Sequence, residues 1–393
     1  MTENRTGGGK GREAATAYAV AEGLRISVGA PSLIALSNGK LLVAFDQSGP
    51  DAKGLPGKKG HDAKRNRWMQ GLALSSGDGG ETWQRVATYP FRGASLFRDG
   101  GDVYLLGEAS GGLCLMRSPD GGGSWSAPME LTGDLGAWLA PTTPVACGEH
   151  WLVPCLLPSG GNWGVATLRA PRGASLMNRK AWAVGPVSAP LPQLASAAGG
   201  AGCGVPWAGS ALGFRNPAAV SWGAGRHPWG SAGGAAILST AGCGREHWCA
   251  ALGAAADGSV GPLADGGGGA WLWLPLPGGH AKFDVFFDES GGRWWLAGSR
   301  GTPGLALGRE ACGEAAAKRI GLWWSDNLVD WQYAGEVAAG GEGPGGVRCD
   351  PSAAVSGNDL HVAYRAGGAG SRNGRETSRI LCSRVEGFRQ RGA

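Results

Sequence analysis

Short apolar segments of four to eight residues recur along the chain, each bounded by Gly, Asn, Asp or other polar residues. Segments of this length and alternation predict β-strands, whereas the spacing typical of amphipathic helices is scarce. The predicted strands are residues 32–36, 40–45, 102–107, 112–116, 150–155, 282–287, 293–297, 319–324 and 359–364. The chain is therefore predicted to be predominantly β.

Several of these segments share one layout, in which an apolar strand, a polar or glycine-rich turn and a second strand follow one another. The layout occurs at residues 31–45, 95–107, 144–156, 283–298 and 351–365. A repeated unit built from short strands is typical of a β-propeller or a β-sandwich.

Two matching turn sequences favour the propeller. SGDGGETW at residues 76–83 and SPDGGGSW at residues 118–125 each follow an apolar strand, and a shortened copy, SDNLVDW, lies at residues 325–331. In such a turn, Asp accepts hydrogen bonds from turn amides, Gly adopts a positive φ angle and Trp packs the turn onto the sheet. Structural roles are therefore predicted for Asp78, Trp83, Asp120, Trp125 and Trp331.

This turn pattern resembles the Asp box, S/T-x-D-x-G-x-T/S-W, of sialidases and related propellers. From Gly29 to Phe388 the chain resembles bacterial sialidase-like repeat proteins, and further matching fragments lie at residues 31–34, 45–50, 94–97, 104–107, 277–283 and 359–365. The resemblance implies a six-bladed β-propeller of four-stranded antiparallel blades. We expect a single domain over residues 21–389, preceded by a flexible tail over residues 1–20.

Composition decides between a disordered and a folded chain. The 75 Gly and 23 Pro approach a low-complexity composition, but 18 Trp, 42% apolar and only 17% charged residues provide a buriable core. The nine Cys are an odd number without metal-binding spacing, which predicts free thiols in a reducing compartment. Since no signal-peptide or membrane-spanning run is visible, we expect a cytoplasmic protein, or a secreted one if the N-terminus is incomplete.

The net charge of +5 is scattered, apart from a basic cluster at Lys58, Lys59, Lys64, Arg65 and Arg67. This cluster is predicted to be a solvated loop that is able to meet an anionic substrate. Because no nucleic-acid-binding motif accompanies it, we expect a glycan or glycoside partner, and neither nucleic acid nor membrane. We also expect a monomer without cofactor or metal.

The resemblance also implies a set of catalytic groups. Sialidases hold the substrate carboxylate with three Arg, use a Tyr nucleophile activated by a Glu, and employ an Asp as acid/base. Asp46 ends the second strand of the first hairpin before a long polar loop, so it is the acid/base candidate, with Asp51 behind it; a turn-capping role is the alternative. Glu246 is the candidate nucleophile or activator, unless it forms a surface pair with Arg245.

Candidate substrate-binding residues lie at strand ends. Arg365 ends a strand, where its neighbour Tyr364 points the opposite way and is predicted to pack. Arg348 and Asp350 alternate onto one face as an ion pair or a pair of ligands, and Lys282 begins another strand. Arg25 is a weaker candidate, because the family's first Arg aligns with Gly29, four residues later.

These features predict a sialidase-like glycoside hydrolase acting on a terminal, acidic sugar. A non-catalytic carbohydrate-binding or scaffold propeller is the first alternative. A five-bladed glycosidase for arabinose- or xylose-type sugars, which the shortened turn also permits, is the second. Two carboxylates and an Arg gathered at the central opening would favour hydrolysis.

Overall fold

The structure is a computed structural model. It describes residues 14–190, 214–222, 234–240, 248–264, 270–271, 273–279, 281–300, 318–341, 344–368, 371 and 376–392.

Six antiparallel sheets follow one another along the chain as the blades of a β-propeller. Blade 1 contains β2 (Ser27–Val28), β3 (Ser32–Ala35), β4 (Leu41–Ser48), β5 (Gly60–Asp62), β6 (Arg67–Ser76) and β7 (Gln84–Tyr89). Blade 2 contains β8 (Arg92–Asp99), β9 (Asp102–Ala109), β10 (Gly112–Ser118) and β11 (Met129–Glu130). Blade 3 contains β12 (Val145–Cys147), β13 (His150–Ser159), β14 (Asn162–Pro171) and β15 (Ala183–Val184).

Blade 4 contains β16 (Arg215–Trp222), β17 (Gly234–Thr240), β18 (Trp248–Ala254), β19 (Val260–Ala264), β20 (Ala270–Trp271) and β21 (Trp273–Pro275). Blade 5 contains β22 (Asp284–Asp288), β23 (Arg293–Ser299), β24 (Arg319–Ser325) and β25 (Gln332–Ala339). Blade 6 contains β26 (Arg348–Ser356), β27 (Asp359–Ala366), β28 (Arg379–Val385) and β1 (Ala15–Ala19).

Blades 1 and 4 keep the four-stranded plan although they contain more strand segments. In blade 1, β2 and β3 both pair with β4, and β5 and β7 both pair with β6, so two positions are occupied by interrupted strands. The helical segments of the described chain are short 3₁₀ turns, at Pro50–Gly54, Arg179–Ala181, Pro344–Gly346 and Phe388–Gly392. The predicted six-bladed, all-β propeller is confirmed, and the five-bladed alternative is wrong.

The apolar hairpins predicted from sequence are the inner parts of the blades. In β4, the five residues from Leu41 to Phe45 are all buried, on both faces of the strand. Burial on both faces follows from the architecture, because each blade packs against a neighbour on either side. Val28, Leu33 and Phe45 of blade 1, for example, share one apolar cluster with Ile380 of blade 6.

The ring is closed by the N-terminal segment. β1 pairs antiparallel with β28, with Ala15 opposite Cys382 and Ala19 opposite Arg379, and forms the outermost strand of blade 6. Residues 15–19 were expected in a flexible tail but are instead held by this pairing. The correction reflects a contact with the far end of the chain, which a local pattern does not reveal.

Hydrogen bonds between blades connect their innermost strands. The amide of Leu33 donates to Ser352 Oγ at 3.0 Å, and the amide of Leu96 donates to Ser32 Oγ at 2.9 Å. Ser95 Oγ accepts from the Thr142 amide at 3.0 Å. Ser32, Ser95 and Ser352 therefore perform the same task at three blade junctions.

The two SxDGG turns are hydrogen-bonded locally. Asp78 accepts from the amides of Glu81 and Thr82, both at 3.0 Å, and the hydrogen bonds from Thr82 hold the pKa of Asp78 well below its usual value. Asp120 accepts from the amide of Ser124 at 2.8 Å. Trp83 Nε1 and Trp125 Nε1 each donate to a glycine carbonyl of their own turn.

The shortened turn uses Asn327 in the place of the Asp, where its Oδ1 accepts from the amides of Val329 and Asp330. Trp331 is partly buried and packs against the core, although its Nε1 has no hydrogen-bond partner among the described residues. The Asn therefore preserves the amide contacts of the turn without a charge.

Six of the nine Cys lie in the described part of the chain, and no disulfide joins any two of these six. Among the residues described, none belongs to a helix long and apolar enough to cross a membrane.

Candidate functional site

Charged side chains gather on the face of the propeller where the second strand of each blade ends and the first begins. Asp46 lies near the end of β4, Arg92 begins β8, Glu108 lies near the end of β9, and Arg365 lies near the end of β27. Register shifts interrupt the pairing between Arg92 and Ser95 and between Cys349 and Ser352. Such bulges redirect side chains at a sheet end, and here they occur where the charged groups meet.

Asp46 is the predicted acid/base, and its carboxyl is held from the neighbouring blade. The Gly93 amide donates to Asp46 Oδ1 at 3.0 Å. Burial raises the pKa of Asp46, although this hydrogen bond and the positive charges of Arg92, Arg67 and Arg365 oppose the shift. A carboxyl with a raised pKa retains its proton closer to neutral pH, which is the property required of a general acid.

Arg365 lies in the same charged group, as predicted for a side chain at a strand end. Its Nη1 is 2.6 Å from Asp350 Oδ2, and its Nε donates to Thr377 Oγ1 at 2.8 Å. Burial opposes its charge, yet the nearby Cys349 and Asp350 raise the pKa of Arg365 above its ordinary value. The guanidinium is fixed in position and permanently charged.

Arg348 and Asp350 do not form the pair that strict alternation predicted. Asp350 has a φ of 54°, within the register shift, and its carboxylate pairs with Arg365. Arg348 Nη1 instead donates to the carbonyls of Gly345 and Val347, and burial lowers its pKa. The prediction of an Arg348–Asp350 ion pair is wrong because the bulge breaks the two-residue period.

Lys282 precedes β22 and is buried. Its Nζ donates to the Pro351 carbonyl at 2.9 Å, and burial lowers its pKa. Nearby Asp284 accepts from the Ala353 amide at 2.7 Å, and burial raises the pKa of this carboxyl. Both side chains connect blade 5 to blade 6, so their contacts are those of a brace between blades.

Sequence reasoning missed a second buried charge group. Arg92 Nε is 2.5 Å from Glu108 Oε2, its Nη2 is 3.8 Å from Asp62 Oδ2, and Asp62 also pairs with Arg65 at 2.7 Å. The guanidinium carbon lies 4.6 Å from the ring centre of Trp138, a residue that is 37% exposed. The sequence does contain a signal for this group. Arg92 and Glu108 flank the second hairpin in the same way as Asp350 and Arg365 flank the last one.

The remaining candidates lie away from this group or outside the described residues. Arg25 is 74% exposed and forms a two-pronged pair with Asp51, at 2.8 Å for the shorter contact. At Gly29, where the family has its first Arg, an added Cβ would be 2.6 Å from Asp46 Oδ1. Glu246 lies outside the described residues.

All five Tyr of the sequence are described, and each hydroxyl has a hydrogen-bond partner other than Asp46. Tyr364, for example, is buried with its hydroxyl 3.0 Å from Ser383 Oγ, in agreement with its predicted packing role. The partners of the others are Gln47 for Tyr18, the Phe45 carbonyl for Tyr89, Asp102 for Tyr104 and Arg300 for Tyr333. Gly29 therefore stands where sialidases have their first Arg, and within the described part of the chain each Tyr hydroxyl is held by a partner other than a Glu.

Within the described ranges, no group of three or more His, Cys, Asp or Glu is arranged to hold a metal ion. The central charged group instead alternates acidic and basic side chains, which neutralise one another.

Comparison with solved structures identifies the fold. The chain resembles a protein of unknown function from Dyadobacter fermentans with a TM-score of 0.59 and 14% identity, covering 96% of this chain and 98% of that one. It resembles NanB sialidase from Streptococcus pneumoniae with a TM-score of 0.55 and 11% identity, over 94% and 70% of the two chains. An α-L-arabinanase from Penicillium chrysogenum gives a TM-score of 0.53 and 15% identity, over 96% and 99%.

The resemblance to sialidases inferred from the turn motifs is thus confirmed as a resemblance of fold. Proteins that are not sialidases, such as the arabinanase, share this fold. No protein-family model and no curated protein matches the sequence. The class that fold and site define is a six-bladed propeller of the kind found in glycosidases, with a buried charged group at the meeting point of its blades.

Proposed function

We propose that the protein is a glycoside hydrolase that removes a terminal, acidic sugar, with Asp46 as its acid/base group. The observation that carries this proposal concerns the Asp46 carboxyl at the blade ends. Burial raises the pKa of this carboxyl, and the positive charges of Arg92, Arg67 and Arg365 act on it. A protonated carboxyl supplies the proton that a leaving sugar oxygen needs, and nearby guanidinium groups attract a substrate anion.

The arginines differ in their capacity to bind such an anion. Arg365 and Arg92 are paired with Asp350 and Glu108, whereas the exposed Arg67 contacts the neutral Ser48 hydroxyl. Arg67 is therefore the proposed first contact of the substrate carboxylate, and the charge of Arg365 also acts on Asp46. Glu246 is the proposed nucleophile or activator, as the sequence predicts.

The proposal departs from sialidases in the nucleophile, in addition to the missing first Arg. Burial raises the pKa of all five Tyr, which disfavours the phenolate of a Tyr nucleophile and favours a two-carboxylate mechanism. In such a mechanism Asp46 donates its proton to the departing oxygen, and Glu246 either attacks the sugar or activates water. The likeness to a sialidase and an arabinanase supports the fold on which this chemistry would be built. The identity of the sugar is to be determined by experiment.

The test is release of fluorophore from a panel of aryl glycosides that includes a sialoside, a glucuronide and an α-L-arabinofuranoside. For the substrate that is turned over, Asp46→Asn should lower kcat/KM by about 10²- to 10⁴-fold, the range typical of a lost acid/base group. Asp51→Asn is the matched control, because it removes a carboxylate from the surface pair with Arg25. Equal turnover by Asp46→Asn and the parent would refute the assignment.

A non-catalytic carbohydrate-binding propeller is the second candidate, and one observation favours it. Arg92, Arg365 and Lys282 all have partners within the protein, so much of the buried charge already stabilises the blade ends. This candidate predicts no turnover across the panel, together with binding of an acidic sugar that Arg67→Gln weakens.

A further inference from the structure

A large cleft lies beside the central site, between blades 1 and 6. It has a volume of about 1690 Å³ and is lined by the segment from Ala19 to Ser27, the turn before β6, and the residues that precede β28. Sites for single small molecules are typically about 300–1,000 Å³. The cleft is therefore larger than one sugar residue requires.

Four arginines line this cleft: Arg25, Arg65, Arg67 and Arg379. Two of them, Arg65 and Arg67, belong to the basic cluster that the sequence singled out. The lining also contains two carboxylates, those of Glu22 and Glu376.

The arginines fall into two pairs according to their partners. Arg25 is paired with Asp51 and Arg65 with Asp62, so these charges are balanced by carboxylates. Among the described residues, the other two arginines are held by uncharged oxygens: Arg67 donates to Ser48 Oγ and Arg379 to the Gly367 carbonyl. A guanidinium held by a neutral acceptor retains its charge and further donors for an incoming anion.

The cleft reaches the strand that carries the proposed acid/base. Ser48 and Arg67 belong to its lining, Ser48 follows Asp46 by two residues on β4, and the charge of Arg67 acts on the Asp46 carboxyl. A chain bound with its terminal sugar at Asp46 would extend into the cleft that Arg67 and Arg379 line. Trp68, also in the lining, adds an aromatic surface of the type that packs against sugar rings.

We propose that this cleft binds further acidic units of an oligosaccharide, so that the ligand is a chain carrying several carboxylates rather than a single acidic sugar. The proposal rests on the proposed function for the position of the terminal sugar. Its support is the volume of the cleft, the uncharged acceptors of Arg67 and Arg379, and the action of the Arg67 charge on Asp46.

The test is binding of hexagalacturonate to the Asp46→Asn protein by calorimetry, with galacturonate and maltohexaose as the short and the neutral counterparts. Hexagalacturonate should bind at least about tenfold more tightly than either, because several carboxylates contact charged donors. Arg379→Gln should weaken the binding of hexagalacturonate roughly three- to tenfold and leave the binding of galacturonate unchanged. Higher salt should weaken the binding of hexagalacturonate more than that of the other two ligands, as expected for exposed charges.

Arg98→Gln is the matched control, because Arg98 is an exposed arginine near the opposite end of β8. Equal binding of hexagalacturonate and maltohexaose, or equal loss in Arg98→Gln and Arg379→Gln, would overturn the proposal. Thermal unfolding of each variant shows whether a loss reflects misfolding. Because binding is measured without turnover, failure here is distinguishable from failure of Asp46 as the catalytic group.

Discussion

At the scale of single residues, the position of the Asp46 side chain depends on the absence of a side chain at Gly29. The Gly29 amide donates to the Asp46 carbonyl at 2.5 Å, and a Cβ at Gly29 would come within 2.8 Å of three carboxyl atoms of Asp46. Real Cβ atoms do not approach other atoms so closely, so any larger residue would displace the carboxyl. The absence of an Arg at this position therefore has a steric reason, which is the present position of Asp46.

Gly29→Ala tests this relation. The methyl group should push the Asp46 carboxyl away from the Gly93 amide, and a shift of about 1 Å in a catalytic group can lower the rate by up to about 100-fold. We expect kcat/KM to fall while the melting temperature changes little. Gly101→Ala is the control, since a Cβ there meets nothing within 4 Å. Parent-like kinetics for Gly29→Ala would show that Asp46 is not held where catalysis needs it.

At the scale of elements, the first SxDGG turn packs against blade 6 at a buried histidine. His361 of β27 is 3% exposed, and its Nδ1 has no hydrogen-bond partner among the described residues. A Cβ at Gly80 of the turn would be 3.7 Å from this nitrogen. Burial lowers the pKa of His361 below 6.5; Arg384 adds to this effect and Asp359 opposes it.

The sign of the resulting pH dependence follows from linkage. Because the folded pKa is depressed, the unfolded chain takes up the proton first as pH falls below about 6.5, and the free energy of unfolding decreases. Denaturant titrations from pH 8 to pH 5 should show this decrease in the parent and a shallower slope in His361→Gln. His61→Gln, at an exposed histidine, should retain the parent slope. Identical slopes in all three proteins would contradict the prediction.

The elements also show how far sequence reasoning reaches. Hairpins such as β3–β4 and turns such as residues 76–83 were predictable because apolar alternation and Asp-Gly chemistry act within a few residues. The ion pair of Arg92 with Glu108 follows from the same hairpin layout, although it is not among the predicted site residues. The Asp350–Arg365 pair depends on a bulge, and the contact of Gly93 with Asp46 depends on two blades meeting, so neither has a local pattern.

At the scale of the whole molecule, β1 joins the last blade to the first. It completes the sheet of blade 6, while Tyr18 lies 5.1 Å from the ring of Phe45 in blade 1 and donates to Gln47 at 2.7 Å. The strand therefore contributes both backbone pairing and side-chain contacts to the closure of the ring.

Two truncated chains isolate this contribution. Removal of residues 1–20 should lower the melting temperature by more than about 5 °C relative to a chain lacking residues 1–13, because a paired edge strand and an aromatic contact are lost. The difference between the two chains measures β1 alone, and differential scanning calorimetry is sufficient. Equal melting temperatures would mean that blade 6 holds without its fourth strand.

The same strand sets the order of events during synthesis. About 360 residues separate Ala19 from its partner Arg379. At typical elongation rates of about 5–20 residues per second, β1 waits roughly 20 to 70 s on the ribosome before β28 exists. Throughout this time Tyr18 and its neighbours have no blade 6 to pair with. The segment made first is thus among the last to be placed, and the nascent chain carries an unpaired strand that chaperones are suited to shield.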